Sequence, residues 1–263
     1  MRKHLRKSTI LPAAVAVLLL GLALPTWAGD GDDDDDDGGV IPFDDANIFF
    51  ELNDTDGDLG IHALIDGEPW KKLEIEGPNG RNHLQIRLRS SLRRQGLTEL
   101  FFESAEPTFD ELDPERFFRR FPEGEYEIEG TTIEGDELES TAIITHLIPA
   151  PVDNLAVNAS AVPEDCDEGP VPAVSDPIII SWDFTTHSHP DLGRTDELIE
   201  VTGYQAVVEQ EDTELKVTID LPPDVNSVQM PAGLLSPGEV KIEVLVREES
   251  GNQTATESCF EVE

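Results

Sequence analysis

Cysteine, basic residues and long apolar runs are all scarce in this chain of 263 residues. Its two cysteines, Cys166 and Cys259, form no C-x-x-C pair. Both stand near acids (Asp165 and Asp167; Glu257 and Glu261), which disfavour a thiolate and so exclude thiol redox or nucleophilic-cysteine chemistry. Lysine and arginine total 18 against 56 aspartates and glutamates. A field of that sign repels nucleic acid and anionic membranes. No G-x-S-x-G, P-loop, dinucleotide fingerprint or H-E-x-x-H occurs, and no Arg-Gly-Asp adhesion tripeptide. The sequence therefore points to no catalytic residue and no organic cofactor.

The longest apolar run, 10–24, contains Pro12, ends at Pro25 and falls short of the roughly 20 residues that span a bilayer. It follows Arg2, Lys3, Arg6 and Lys7 and precedes Thr26-Trp27-Ala28. This is the pattern of a secretory signal peptide over 1–28, with no permanent membrane anchor after cleavage. Cleavage removes four basic residues and no acids, so the mature charge becomes 14 − 56 = −42. An even cysteine count in an exported chain then favours one Cys166–Cys259 disulfide. The alternation of Phe260 and Val262 as inward residues turns Cys259 toward the outer side, so the bridge is expected outside the main core.

Residues 29–45 hold the run Asp32 to Asp37 between glycines and read as a disordered acidic linker. Beyond it, 46–148 reads as a β-rich domain. Short apolar or alternating runs at 48–52, 59–65, 70–75 and 84–88 are divided by Asp56-Gly57, Asp66-Gly67 and Asn79-Gly80, the dipeptides of tight hairpins, which predicts a meander. Leu84, Ile86 and Leu88 alternate with Gln85, Arg87 and Arg89, giving one inward and one wet face. One helix is expected after Asp113-Pro114, carrying Phe117, Phe118 and Phe121 and stopped by Pro122. Strands at 125–129 and 138–147 follow, and Pro149-Ala150-Pro151 marks a boundary.

In 149–263 seven short strands are expected, at 155–159, 178–182, 201–209, 215–221, 228–230, 240–246 and 255–262, with no helix among them. Such a series argues a two-sheet sandwich. Here the order and spacing of Asn154-Leu155, Ile180-Ser181-Trp182-Asp183, Gly203-Tyr204-Gln205, Leu235-Ser236-Pro237-Gly238 and Glu243-Val244 resemble a fibronectin type III domain. Where that family carries a corner tyrosine this chain has Val240, and the two cysteines are atypical for it. The resemblance implies an immunoglobulin-like sandwich and no activity. The first half resembles parts of bacterial exported proteins that carry such a C-terminal module, which attaches no activity to it either.

Three groups of side chains invite a functional reading. Asp54, Asp56 and Asp58, with Asp66, suggest a calcium site, but an EF-hand with Gly57 sixth would begin at Leu52 and end at Ala63. A solvated turn is preferred, with calcium as the alternative. His187, His189 and Asp191 offer metal donors without the further ligand a zinc site needs. Ten of the 14 mature basic residues fall in the first half, among them Lys71, Lys72, Arg87, Arg93 and Arg94. That asymmetry suits an anionic glycan, an acidic partner or docking of the acidic second half, but alternation along a strand already accounts for Arg87 and Arg89 as solvated outer-face residues, which is the preferred reading.

The sequence thus supports a mainly β, periplasmic or secreted protein acting as a noncatalytic binding or spacer component, with a protein or glycan partner. A cation-dependent carbohydrate-binding accessory module is the alternative, and a hydrolase assembled from its many carboxylates a third. The mature protein is expected to begin near Gly29 in an extracytoplasmic fraction. Intact-mass measurement checks this, and an uncut, membrane-integrated chain would overturn it.

Overall fold

The computed structural model describes residues 40–163, 166 and 169–263. The expected signal peptide and the aspartate run lie outside the described residues. In chain order the strands are β1 (Asp45–Asn53), β2 (Asp58–Glu76), β3 (Asn82–Arg87), β4 (Leu97–Glu103), β5 (Gly124–Thr132), β6 (Glu137–Ile144), β7 (Ala156–Val157), β8 (Ser160–Ala161), β9 (Ala173–Val174), β10 (Ile179–Ser181), β11 (Val201–Gln210), β12 (Leu215–Leu221), β13 (Ser227–Gln229), β14 (Gly238–Glu248) and β15 (Gln253–Val262). Two short helices, α1 (Ser90–Gln95) and α2 (Pro114–Phe118), join them. The protein is mainly β, as its sequence predicts.

The first half departs from a simple meander because Asp66-Gly67 is not a hairpin. It lies inside β2, a single strand of 19 residues. The two portions of β2 serve different neighbours: β1 pairs with the part before Gly67, β3 with Lys72 to Glu76 and β5 with Trp70 to Glu76, while β4 pairs with His62 to Asp66 and once more at Trp70. The register shifts between Asp66 and Trp70 on one side and between Trp70 and Lys72 on the other. Pro69, which has no N–H to give a ladder, falls within this break. At Gly67 a side chain would come within 3.1 Å of the Phe43 ring. The bend therefore lets one strand turn a corner between two local sheets and fold them over a shared core.

That core contains Phe50, Leu52, Trp70, Leu73, Ile128 and Leu138. Helix α2 closes it, with the Phe50 ring edge-on to Phe117 and to Phe118 at 5.6 Å in each case. Asp113 caps α2 as expected, its Oδ1 accepting from the Arg116 amide at 3.2 Å, with Pro114 as the first helical residue. Helix α1 and strand β4 are additions to the sequence reading, which expected one helix and no strand there. Helix α1 buries no residue and has no side-chain cap, so it carries none of the apolar periodicity by which a helix is read.

All seven strands expected in the second half are present, in two sheets. One has the order β13-β10-β7-β8 and the other contains β12-β11-β14-β15. This is the strand order of a fibronectin type III sandwich. Trp182 is buried between the sheets, its ring centroid 5.6 Å from that of Tyr204. Val240 is fully buried where the family's corner tyrosine would stand. The Tyr204 hydroxyl supplies a different polar tie, accepting from the Thr185 amide at 3.0 Å. The corner bond itself occurs in the first half, in Pro122-Glu123-Gly124-Glu125-Tyr126, where the Tyr126 hydroxyl donates to the Pro122 carbonyl at 3.1 Å.

Cys166 and Cys259 are bonded, with Cα atoms 5.9 Å apart and 93 positions between them in sequence. The bridge ties the segment before β10 to the final strand, as expected. Cys259 faces away from Phe260 and the main sandwich core, yet it is fully buried rather than exposed. Closing a loop of this length contributes up to about 4–5 kcal/mol through the unfolded chain.

The two large hydrophobic cores divide between Ile148 and Val152, one in each half, with Leu192 from the second half joining the first core, and a small third cluster of Val207, Leu245 and Ala255 lies on the other face of β11, β14 and β15. The sheet does not divide with them. Strand β15 pairs in parallel with β1, Glu51 opposite Gln253 and Asn53 opposite Ala255, so one sheet runs β12-β11-β14-β15-β1-β2-β5-β6. Asn252, at the foot of β15 and buried, secures this seam. Its Oδ1 accepts from the Phe50 amide at 2.8 Å, and its Nδ2 donates to the carbonyls of Thr145 at 3.0 Å and Leu147 at 3.1 Å. Around it, Thr254 Oγ1 donates to the Pro149 carbonyl at 2.6 Å and the Asp54 amide to the Ala255 carbonyl at 3.0 Å.

Removing the Asn252 side chain leaves an amide and two carbonyls without their partner. Asn252→Ala is therefore expected to destabilise the protein by roughly 2–4 kcal/mol, since each buried polar group left unsatisfied costs about 1–3 kcal/mol. Denaturant unfolding followed by tryptophan fluorescence checks this. A loss below about 0.5 kcal/mol, the range of an ordinary surface substitution, would overturn the role given to Asn252.

Candidate functional site

Alternation along β1 and β2 sets two faces. Phe50, Leu52, Leu59, Ile61 and Ala63 point into the core, so Phe49, Glu51 and Asn53 share the other face with Asp58, Gly60 and His62. Strand β4 adds Glu103 opposite His62. The segment after β4 is held beside β2 by two bonds: the Ser104 amide donates to the Ile61 carbonyl and Ser104 Oγ accepts from the Ile61 amide, both at 3.0 Å. That placement brings Glu106 over Gly60. A side chain at Gly60 would collide with Glu106 Oε1, so the carboxylate occupies the space that glycine leaves.

His62 stands between two carboxylates. Its Nε2 is 3.0 Å from Glu106 Oε1 and its Nδ1 is 3.9 Å from Glu51 Oε2, with the imidazole 3% exposed. One donor atom from each of Glu51, His62 and Glu106 lies within 4.8 Å of the others. The rings of Phe49 and Phe101 flank the imidazole, at centroid distances of 5.4 and 6.3 Å. Glu51 is held from the other half of the molecule: Gln253 Nε2 donates to its Oε2, Gln253 Oε1 accepts from Arg247 Nε at 2.9 Å, and Arg247 Nη1 reaches Asp220 at 3.1 Å.

Burial raises the Glu51 carboxyl above its usual range against the opposing pull of His62 and Gln253. Burial, then the charges of Glu106, Asp56, Glu257 and Glu51, push Asp58 up to about 7. Burial acts to lower His62, but the hydrogen bond to Glu106 and the charges of Glu51, Glu106 and Glu103 outweigh it and the imidazole ends raised. Among the described residues no lysine or arginine lies within ion-pair distance of Glu51, Asp58, Glu103 or Glu106. Negative charge is concentrated here with one imidazole to offset it.

The aspartates singled out in the sequence are not gathered into one site. Asp54 Oδ1 lies 3.0 Å from His189 Nε2. The Asp56 amide donates to Asn53 Oδ1 at 3.2 Å in the hairpin turn, where Gly57 has φ +66°. Asp66 pairs with Asp45 at the opposite end of the β1–β2 ladder from Asp58, eight residues or about 26 Å along the strand. Asp58 alone stands beside Glu51 and Glu106. The histidine pair is divided as well. His187 is exposed and bonded to Thr186 Oγ1, while His189 is buried and its Nδ1 accepts from the Asp191 amide at 3.0 Å. With Nδ1 accepting, Nε2 carries the proton and donates to Asp54. The basic residues are dispersed: Lys72 and Arg87 meet Glu74, Arg119 meets Glu115 at 3.6 Å, and Lys71, Arg93 and Arg94 line a shallow groove beside Ile133.

Sequence reading missed Glu51, His62 and Glu106, which come from two strands and a loop separated by 11 and 44 positions. The usable signal was the hairpin at Asp56-Gly57, which fixes 49, 51 and 53 on the same face as 58, 60 and 62.

No family model matches this chain, and no curated protein does. Among solved structures it is similar to the FN1-FN3 domains of chicken CNTN1, at 12% identity over 84% of this chain and 65% of that one, with a TM-score of 0.34. It is similar to a two-domain fibronectin type III segment of chicken tenascin at 9% identity, covering 83% of this chain and 98% of that one, TM-score 0.28. A third match is the spore cortex lytic enzyme SleM of Clostridium perfringens, at 14% identity over 43% of this chain and 28% of that one, TM-score 0.27.

The same outer face carries a second concentration of charge, where Glu243 on β14 lies directly opposite Glu257 on β15. Burial and then the Glu257 charge push Glu243 up to about 8. A carboxyl raised on folding keeps a proton that the unfolded chain releases. Its contribution is therefore favourable below the unfolded value of 4.5 and is lost as pH rises toward 8. Glu243→Gln is expected to raise the melting temperature at pH 8–9 and to leave it little changed near pH 4. Thermal unfolding across that range checks it, and an equal effect at both ends would overturn it.

Proposed function

We propose that this protein is a noncatalytic, exported binding or spacer module working at or outside the cell envelope, with a protein or glycan as partner. The observation that carries the reading is the seam: β15 pairs with β1 and Asn252 bonds to both halves, so two β cores are joined through one sheet rather than by a free linker. A joint of that kind holds two surfaces at a fixed angle, which suits presentation or spacing. The disulfide accords with an oxidising compartment, and the signal-like N-terminal sequence accords with export. A hydrolase is the weaker reading. The carboxylates of Glu51 and Glu106 are both turned to the same imidazole rather than set across a space from each other.

Crosslinking on native cells followed by mass spectrometry, together with a hydrolysis screen on envelope polysaccharides, tests the proposal. The expected result is a crosslinked envelope partner that purified protein also binds directly, with no release of sugar or peptide. Turnover of any of these polymers would overturn it.

A further inference from the structure

We infer that Glu51, His62 and Glu106 form a binding site for one divalent transition ion of the zinc class. Three donors, a nitrogen and two carboxylate oxygens, converge from β1, β2 and the segment after β4 to within 4.8 Å of one another. The 3.0 Å between His62 Nε2 and Glu106 Oε1 is close to the roughly 3.4 Å that separates neighbouring ligands when a tetrahedral ion is drawn about 2.1 Å from each. The fourth position falls to water.

Two features distinguish this set from a chance gathering of acids. The first is the supporting shell. Gln253 donates to Glu51 and is itself fixed by Arg247, which orients the carboxylate in the manner of outer partners in metal sites. Gly60 keeps clear the space into which Glu106 reaches, and Ser104 fixes the backbone that delivers it. The second is the imidazole. His62 is buried at 3% exposure among carboxylates that no lysine or arginine among the described residues pairs, which is costly for a surplus of anions and is relieved by a cation that accepts nitrogen as well as oxygen. A nitrogen donor selects against calcium and magnesium, which take oxygen, and in favour of zinc and its neighbours. The site does not rest on the spacer reading, since its three donors all come from the first half, on β1, β2 and the segment after β4.

The test is titration calorimetry of zinc chloride, and of calcium chloride in parallel, into chelator-stripped full mature protein. His62→Gln and Glu106→Gln are the site variants, and His189→Gln is the control for the other buried histidine. The aspartate run is common to all of them and cancels in the comparison. One zinc ion per chain should bind roughly 100-fold more tightly than calcium. Both site variants should weaken zinc binding at least about tenfold, and His189→Gln should leave it unchanged. Cobalt in place of zinc should give a visible absorption band that His62→Gln abolishes. If His62→Gln fails to fold, Glu106→Gln decides, because that side chain lies at the edge of the site and keeps its shape. Zinc binding that is equal in the wild type and Glu106→Gln, or that is matched by calcium, would overturn the site.

Discussion

The parallel pairing of β15 with β1 is the constraint from which the remaining organisation follows. Without it there would be two sandwiches on a proline-rich tether. With it, the outer faces of β14, β15, β1 and β2 become one surface, and side chains from either half meet on it. Asn53 reaches Glu257 at 2.9 Å, and Gln253 reaches Glu51. Asn252 makes the pairing specific. An asparagine carries an acceptor and two donors, and here one end takes an amide from β1 while the other serves two carbonyls after β6, a combination no apolar residue of that size reproduces.

Much of the second half was legible because its strands are short, regularly spaced and apolar at alternate positions. The strand around Ile180 and Trp182 and the long final pair announce themselves in this way. The first half was harder, for reasons visible at single residues. Asp66-Gly67 has the composition of a hairpin turn, but glycine there answers to the nearby Phe43 ring and to a corner in one strand. Composition alone does not separate a bend from a reversal. Strand β4 hides because its alternation is mixed, with Leu97, Leu100 and Phe102 half-buried and Phe101 exposed.

The histidine and carboxylate site was illegible for another reason. Its members are ordinary residues on ordinary strands, and only the register of the β1–β2 hairpin, joined to the course of the segment after β4, puts them together. The calcium reading of Asp54, Asp56 and Asp58 relied on closeness in sequence. A tight turn sends its side chains in different directions, and the structure finds Asp54 with His189 from the other half while Asp58 feels the charge of Glu106. A chain with 56 acids gives sequence reading little contrast, since almost any window contains several.

The partner of the first strand is the last one, and this sets an order on how the chain can become complete during synthesis. Until residues beyond Asn252 have emerged, β1 is paired on one side only, and its other edge is a row of bare amides and carbonyls of the kind that recruits foreign strands. The first half must therefore wait, half-closed, through some hundred residues of further elongation. Pairings this distant in sequence are also the slow ones to form. The heavy negative charge acquires a use in that interval, since it keeps unfinished copies apart while their edges are open. Closure by β15 then covers the Glu51 to Asn53 stretch of that edge and joins the two parts of the sheet.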